Sequence, residues 1–139
     1  MKKENGYLKA LQEKADYFQL QYEAAIAEIS ILIGDDDGTK RVKRESIIVK
    51  NIIAEHYSIN AQLLANKTRR QEVMAARQMY CLLMYERRHT LAGIAKTINR
   101  THATIINSKN RMIGFIEVEE ASRKDYIYLS EKIKNALAL

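Results

Sequence analysis

The chain has 139 residues, 47% of them apolar and 29% charged, with 5 glycines, one cysteine and no proline. That length holds one core of useful size and excludes an enzyme of several domains, while few turn-formers and abundant Ala, Leu, Glu, Lys, Gln and Arg exclude a β-sandwich or barrel and predict an all-α fold. The net charge of +6, from 23 Lys and Arg against 17 Asp and Glu, makes polyanions better partners than acidic proteins or neutral metabolites.

The lone Cys81 leaves no disulfide framework and no cysteine-based zinc site. The longest apolar runs, such as Ile31–Ile33 and Cys81–Met84, are too short to cross a bilayer, and no signal peptide is visible, so a cytoplasmic chain with no membrane partner is expected. The charge is unevenly placed. Residues 1–39 carry 4 basic and 8 acidic side chains, residues 40–111 carry 15 and 4, and residues 112–139 carry 4 and 5. A local excess of about +11 in the middle is what a phosphate-binding face needs.

In chain order, Leu8, Leu11, Ala15, Phe18, Tyr22, Ala25, Ile29 and Leu32 follow at alternating spacings of 3 and 4. This heptad pattern predicts a coiled-coil-like helix over residues 1–33. Its stripe either pairs with a second chain, making Leu8, Leu11, Phe18, Tyr22, Ile29 and Leu32 an oligomerisation seam, or packs back on the body. The acidic Asp35-Asp36-Asp37-Gly38 stretch favours self-association, because it decouples the helix. Residues 34–45 then read as an acidic-then-basic linker, and residues 46–139 as the main domain.

Within that domain Ser46 reads as an N-cap for a helix whose face is Ile47, Ile48, Ile52, Ile53 and Tyr57. Ile59, Leu63 and Leu64 belong to a short second helix, followed by the loop Asn66-Lys67-Thr68-Arg69-Arg70. Val73, Ala76, Met79, Tyr80, Leu83 and Met84 give the next helix a wide apolar face, with Cys81 beside it as a small hydrophobe. Leu91, Ile94, Ala95 and Ile98 predict a short helix capped by Thr90. Asn99 suits a left-handed turn, and Thr101 caps a further helix whose Ile105, Ile106, Met112, Ile113 and Ile116 point one way. A small residue at 95, a turn residue at 99 and a β-branched plug at 105 fit a helix-turn-helix, in which two helices cross steeply after a tight turn.

The outer face of the second helix of that pair carries Ala103, Thr104, Asn107, Asn110 and Arg111, with no acid before Glu117. Such a face can enter a major groove without being repelled by phosphate. Lys109 lies nearer the apolar side, where its stem can snorkel. His56 and His89 have no metal-ligand cluster at suitable spacing. Glu117, Glu119 and Glu120 read as a solvated face. No nucleophile–base constellation is apparent, so neither catalysis, a cofactor nor a metal is expected. Tyr126, Leu129, Ile133 and Leu137 mark a last amphipathic helix that closes the core.

From Ser46 to about Leu139 the chain resembles the C-terminal, DNA-binding domain of the bacterial chromosomal replication initiators of the DnaA family. IIVKNIIAEHYSINAQLLANK resembles that domain's first two helices and basic loop, EVMAARQMYCLLMYE its central helix, and TLAGIAKTINRTHATIINSKNRM its signature segment. The resemblance implies a Trp-repressor-like helix-turn-helix and double-stranded DNA as partner. It implies a base contact for His102 and a phosphate contact for Arg100. It places Thr101, Ala103, Thr104, Asn107 and Arg111 on the same recognition helix, and Arg77 and Gln78 on the central helix facing the groove. Lys67, Arg69 and Arg70 fall in the loop that in the family reaches the minor groove.

The sequence departs from the family where Thr101 replaces the signature Asp and Ala103 the first signature Thr, where one residue is missing before Arg100, and where Ala76 replaces a Pro. Thr cannot accept from a cytosine amino group as Asp does, so DNA binding is expected to persist with a changed sequence preference. No Gly-x-x-x-x-Gly-Lys-Ser/Thr loop occurs in the 139 residues, so no nucleotide is expected as ligand. The expected function is a self-associating regulator of transcription or replication initiation, in the bacterial nucleoid or, for a phage or mobile-element protein, the host cytoplasm. The alternative is an adaptor that uses the coiled coil after losing DNA recognition. RNA is disfavoured by the lack of aromatic stacking platforms in the basic segment.

Overall fold

The computed structural model describes residues 9–10, 12–13 and 37–137. The chain divides between Asp36 and Asp37 into two units. The heptad seam of Leu8, Leu11, Phe18, Tyr22, Ile29 and Leu32 lies outside the described residues. In the second unit the described elements are α1 (Asp37–Tyr57), a 3-10 helix (Ala61–Ala65), α2 (Gln71–Glu86), α3 (Leu91–Ile98), α4 (His102–Val118) and α5 (Glu120–Leu137), with no strand among the described residues. None of these helices is long and apolar enough to cross a membrane.

The first helix differs from the expectation. It begins at Asp37, so most of the stretch expected as a linker is helical, and Ser46 stands in its middle instead of capping it. Acids near a helix start are favourable to the helix dipole, and tertiary contacts then hold the extra turns in place. Val42, Glu45, Ser46, Val49 and Ile53 fall on one face and are buried. Ile47, expected on that face, is 64% exposed. The Ser46 hydroxyl lies 2.7 Å from the Tyr80 hydroxyl, which in turn lies 2.6 Å from Thr97 Oγ1, so one hydroxyl chain links α1, α2 and α3.

Helix α2 is the hub. Val73 and every residue from Ala76 to Met84 are buried, and α2 packs against α1, α3, α4 and the 3-10 helix. Each buried Val, Leu or Met here contributes about 1.5–3 kcal/mol by leaving water. Cys81 sits within this packing, its thiol pushed up to about 12 by burial, which makes it an inert apolar filler. The wide face that sequence periodicity predicts is present, and its breadth reflects a helix covered on nearly every side.

The helix-turn-helix forms as the spacing predicts. Thr90 caps α3 by accepting from the Gly93 amide at 2.9 Å. Leu91, Ile94, Ala95 and Ile98 are buried. Gly93 allows a close approach of α1, since a Cβ there would meet Thr90 Oγ1 at 3.0 Å and Val42 at 3.5 Å. Asn99 takes the left-handed conformation, φ 55° and ψ 52°, and Thr101 caps α4 by accepting from the Thr104 amide at 3.3 Å. On α4 the buried positions are Ile105, Lys109 and Met112, while Ile106, Ile113 and Ile116 are half-buried. Lys109 does more than snorkel. Its side chain is fully buried, with Nζ 4.4 Å from the Tyr85 ring centroid and 3.1 Å from Asn110 Oδ1. Helix α5 covers the opposite side through Leu129 and Ile133, and the Tyr126 hydroxyl donates to the Glu86 carboxylate at 2.7 Å.

Candidate nucleic-acid interface

A groove of about 740 Å³ runs between the loop after the 3-10 helix, the first half of α2 and the first half of α4. Its walls bring together Lys67, Arg69, Arg77, Gln78, Arg100, Thr101, Thr104, Asn107 and Arg111 from the expected contact set. Five of these are cations, and no acid stands in the lining. Segments more than thirty residues apart in sequence thus converge on one cationic surface, because α2 and α4 pack along each other and the tight turn at Asn99 returns the chain to the loop.

The expected residues play unlike parts. Lys67, Arg69, Asn107 and Arg111 are exposed. His102 and Ala103 are also exposed, on the first turn of α4 outside the groove proper. Thr104 is half-buried, its hydroxyl 3.1 Å from that of Thr101. The start of α4 adds the partial positive charge of a 17-residue helix, to which the cap contributes no compensating acid. Arg70 turns aside from the groove and donates to Glu72 at 2.9 Å.

Arg77 and Gln78 stand in the groove wall, as the resemblance implies, but with little of either side chain open to solvent. Both are 8% exposed. The Arg77 guanidinium donates to the carbonyls of Leu64 at 3.0 Å, Leu63 at 3.3 Å, Asn66 at 2.8 Å and Thr68 at 3.3 Å. Burial, then the neighbouring Arg100 charge, push Arg77 below its ordinary value. Arg100 is half-buried and donates to the Asn66 carbonyl at 2.6 Å, with further bonds to Ile98 and Asn99 carbonyls. Both arginines line the groove, yet each is bonded to main-chain oxygens of the fold.

Sequence reasoning passed over Asn66, Met74 and Ser108. Met74 and Ser108 line the groove, and the Asn66 carbonyl joins Arg77 to Arg100 while its side chain accepts from the Thr68 amide at 3.1 Å. Asn66 followed by Lys-Thr-Arg-Arg carries the signal of an Asx turn, which is the one local clue to that position. Among the described residues no group of three or more His, Cys, Asp or Glu is placed to hold a metal ion.

The surface is therefore open, cationic, lined with hydroxyl and amide groups, and built around the exposed start of a helix. Such a surface suits an extended polyanion better than a small enclosed ligand. The family model of the bacterial dnaA protein helix-turn-helix matches residues 47–112. The chain is 32% identical over 91 residues to the chromosomal replication initiator protein DnaA of Bacteroides fragilis (strain YCH46), across 63% of this chain and 18% of that protein. It thus spans less than a fifth of the length of the curated relative it matches. No solved structure matches the chain. The turn at Asn99 and the capped α4 fall within the matched residues, and over that stretch the chain is similar to the helix-turn-helix of bacterial DnaA.

Proposed function

We propose that residues 37–137 bind double-stranded DNA, with α4 in the major groove and the Lys67–Arg70 loop on the adjacent backbone or minor groove. The observation that carries this reading is the groove with five cations and no acid at the start of α4. His102 and Ala103 meet base edges, while Lys67, Arg69, Asn107 and Arg111 meet phosphate. Thr101 stands where the resembled family has an acid, which changes base preference and leaves backbone affinity intact. The protein is a binding module and not a catalyst, and it acts in replication initiation or transcription as a self-associated chain whose seam lies in residues 1–33.

The test is duplex binding across a salt series. Three to five phosphate contacts give a fall of log K with log salt of slope about −3 to −5. A flat dependence excludes the reading. Selection from a random duplex pool then defines the site, and Thr101→Asp should change the selected sequence at one or two positions while leaving the slope unaltered.

A further inference from the structure

The chain has two arginines at the groove that reach the same atom from different elements. Arg77 comes from α2 and Arg100 from the turn of the helix-turn-helix, and both donate to the Asn66 carbonyl, at 2.8 and 2.6 Å. Arg77 also satisfies Leu63, Leu64 and Thr68, the carbonyls that leave the 3-10 helix and enter the basic loop. A guanidinium is suited to this task, since its planar fork holds several oxygens in fixed directions and stays charged. Two cations so close repel each other, and Arg77 is buried, where solvent screening is reduced. The fold accepts that repulsion to hold a loop that contains Lys67, Arg69 and Arg70 and has no helix of its own.

We infer that Arg77 and Arg100 are positioning residues, which clamp the Lys67–Arg70 loop to the start of α4 so that loop and helix present one rigid polyanion-binding surface. The inference rests on the duplex-binding reading for its purpose but not for its geometry. A loop freed from the clamp still carries its charges, but its side chains must be ordered at each binding event. Lys67 and Arg69 therefore contribute to binding only while the clamp is closed. Independent phosphate contacts would behave otherwise, since their effects add.

Two measurements on the full chain test this. The first is limited trypsin digestion without DNA, which reads cleavage after Lys67, Arg69 and Arg70 against cleavage after Arg123 and Lys124 as internal reference. In Arg100→Gln and in Arg77→Met the loop sites should be cut about tenfold faster than in the parent, as expected for a locally opened segment. The second is a double-mutant cycle on a random-sequence duplex. Arg69→Ala should weaken binding about five- to tenfold in the parent and less than about twofold in Arg100→Gln.

Loop cleavage at the parent's rate, or an equal loss on Arg69→Ala in both backgrounds, overturns the clamp. If Arg77→Met does not fold, judged by its circular dichroism, Arg100→Gln decides alone, since Arg100 is half-buried at a turn. A parent chain that binds no duplex overturns the functional reading, and the digestion still decides the clamp.

Discussion

Asn99 shows how much one backbone conformation can fix. At φ 55° it lets the chain turn between α3 and α4 within three residues, and the Arg100 amide that follows donates to the Ala95 carbonyl at 2.9 Å. Asn tolerates this region because its short side chain can bond locally, whereas a β-branched residue pays for its Cβ branches. Asn99→Gly should leave stability within about 0.5 kcal/mol of the parent, and Asn99→Val should cost about 1–2 kcal/mol in urea unfolding. A valine variant as stable as the parent would remove the turn from the account. Such positions were legible in the sequence because caps and turns are decided locally: Thr90, Ala95, Asn99, Thr101 and Ile105 all stand as their spacing predicts. Arg77 was not legible, since its partners lie 9 to 14 residues away and the sequence shows only a cation on a helix.

Among the elements, α1 carries the largest difference from expectation. Its extra turns are tied down by Glu45, which accepts from Arg87 Nε at 2.7 Å, His89 Nε2 at 2.9 Å and Arg41 Nε at 3.2 Å. Arg41 also donates to the Arg87 carbonyl at 2.7 Å. Arg87 and His89 lie 42 to 46 residues from the α1 side chains they meet, so nothing near Glu45 in sequence could announce them. Burial alone would raise the Glu45 carboxyl, but the bonds from Arg87 and His89 and the charge of Arg41 outweigh it and hold the group at about 2 instead of 4.5. Burial likewise holds His89 below its ordinary 6.5, so the ring stays neutral and donates to the carboxylate.

Both groups bind protons less readily in the folded than in the unfolded chain. Stability is therefore complete above about pH 6.5, begins to fall below it as His89 titrates in the unfolded chain, and falls further from pH 4.5 towards 2 as Glu45 does. The Glu45 shift corresponds to about 3 kcal/mol over that lower interval. Glu45→Gln should cost about 2–3 kcal/mol at pH 7 and flatten the fall between pH 4.5 and 2. An unchanged lower limb in the variant would show that other carboxyl groups carry the acid response.

For the whole molecule, the net charge of +6 understates the interface, because the basic excess of residues 40–111 is focused further by folding into one groove free of acid. The all-α class and the helix order were legible from composition and periodicity. The start of the domain was not, because an acidic run reads equally as linker or as helix start and only Val42 and Glu45 packing decides it. Deleting residues 1–36 should leave duplex affinity per binding unit unchanged, lower the solution mass to that of one chain, and reduce affinity for paired sites by about 10²-fold or more through lost avidity. A full-length chain that already sediments as a monomer would rule out the seam.

The turns have a kinetic consequence. Ser58, Arg88 and Asn99 reverse the chain at positive φ without help from proline, which the sequence lacks entirely. No prolyl peptide bond therefore has to isomerise during refolding, and the unfolded population contains no slow-folding fraction of that origin. A helical body with short connections should then recover its native state in a single fast phase, and a cell that stretches or melts it briefly regains a complete binding surface without a prolyl isomerase.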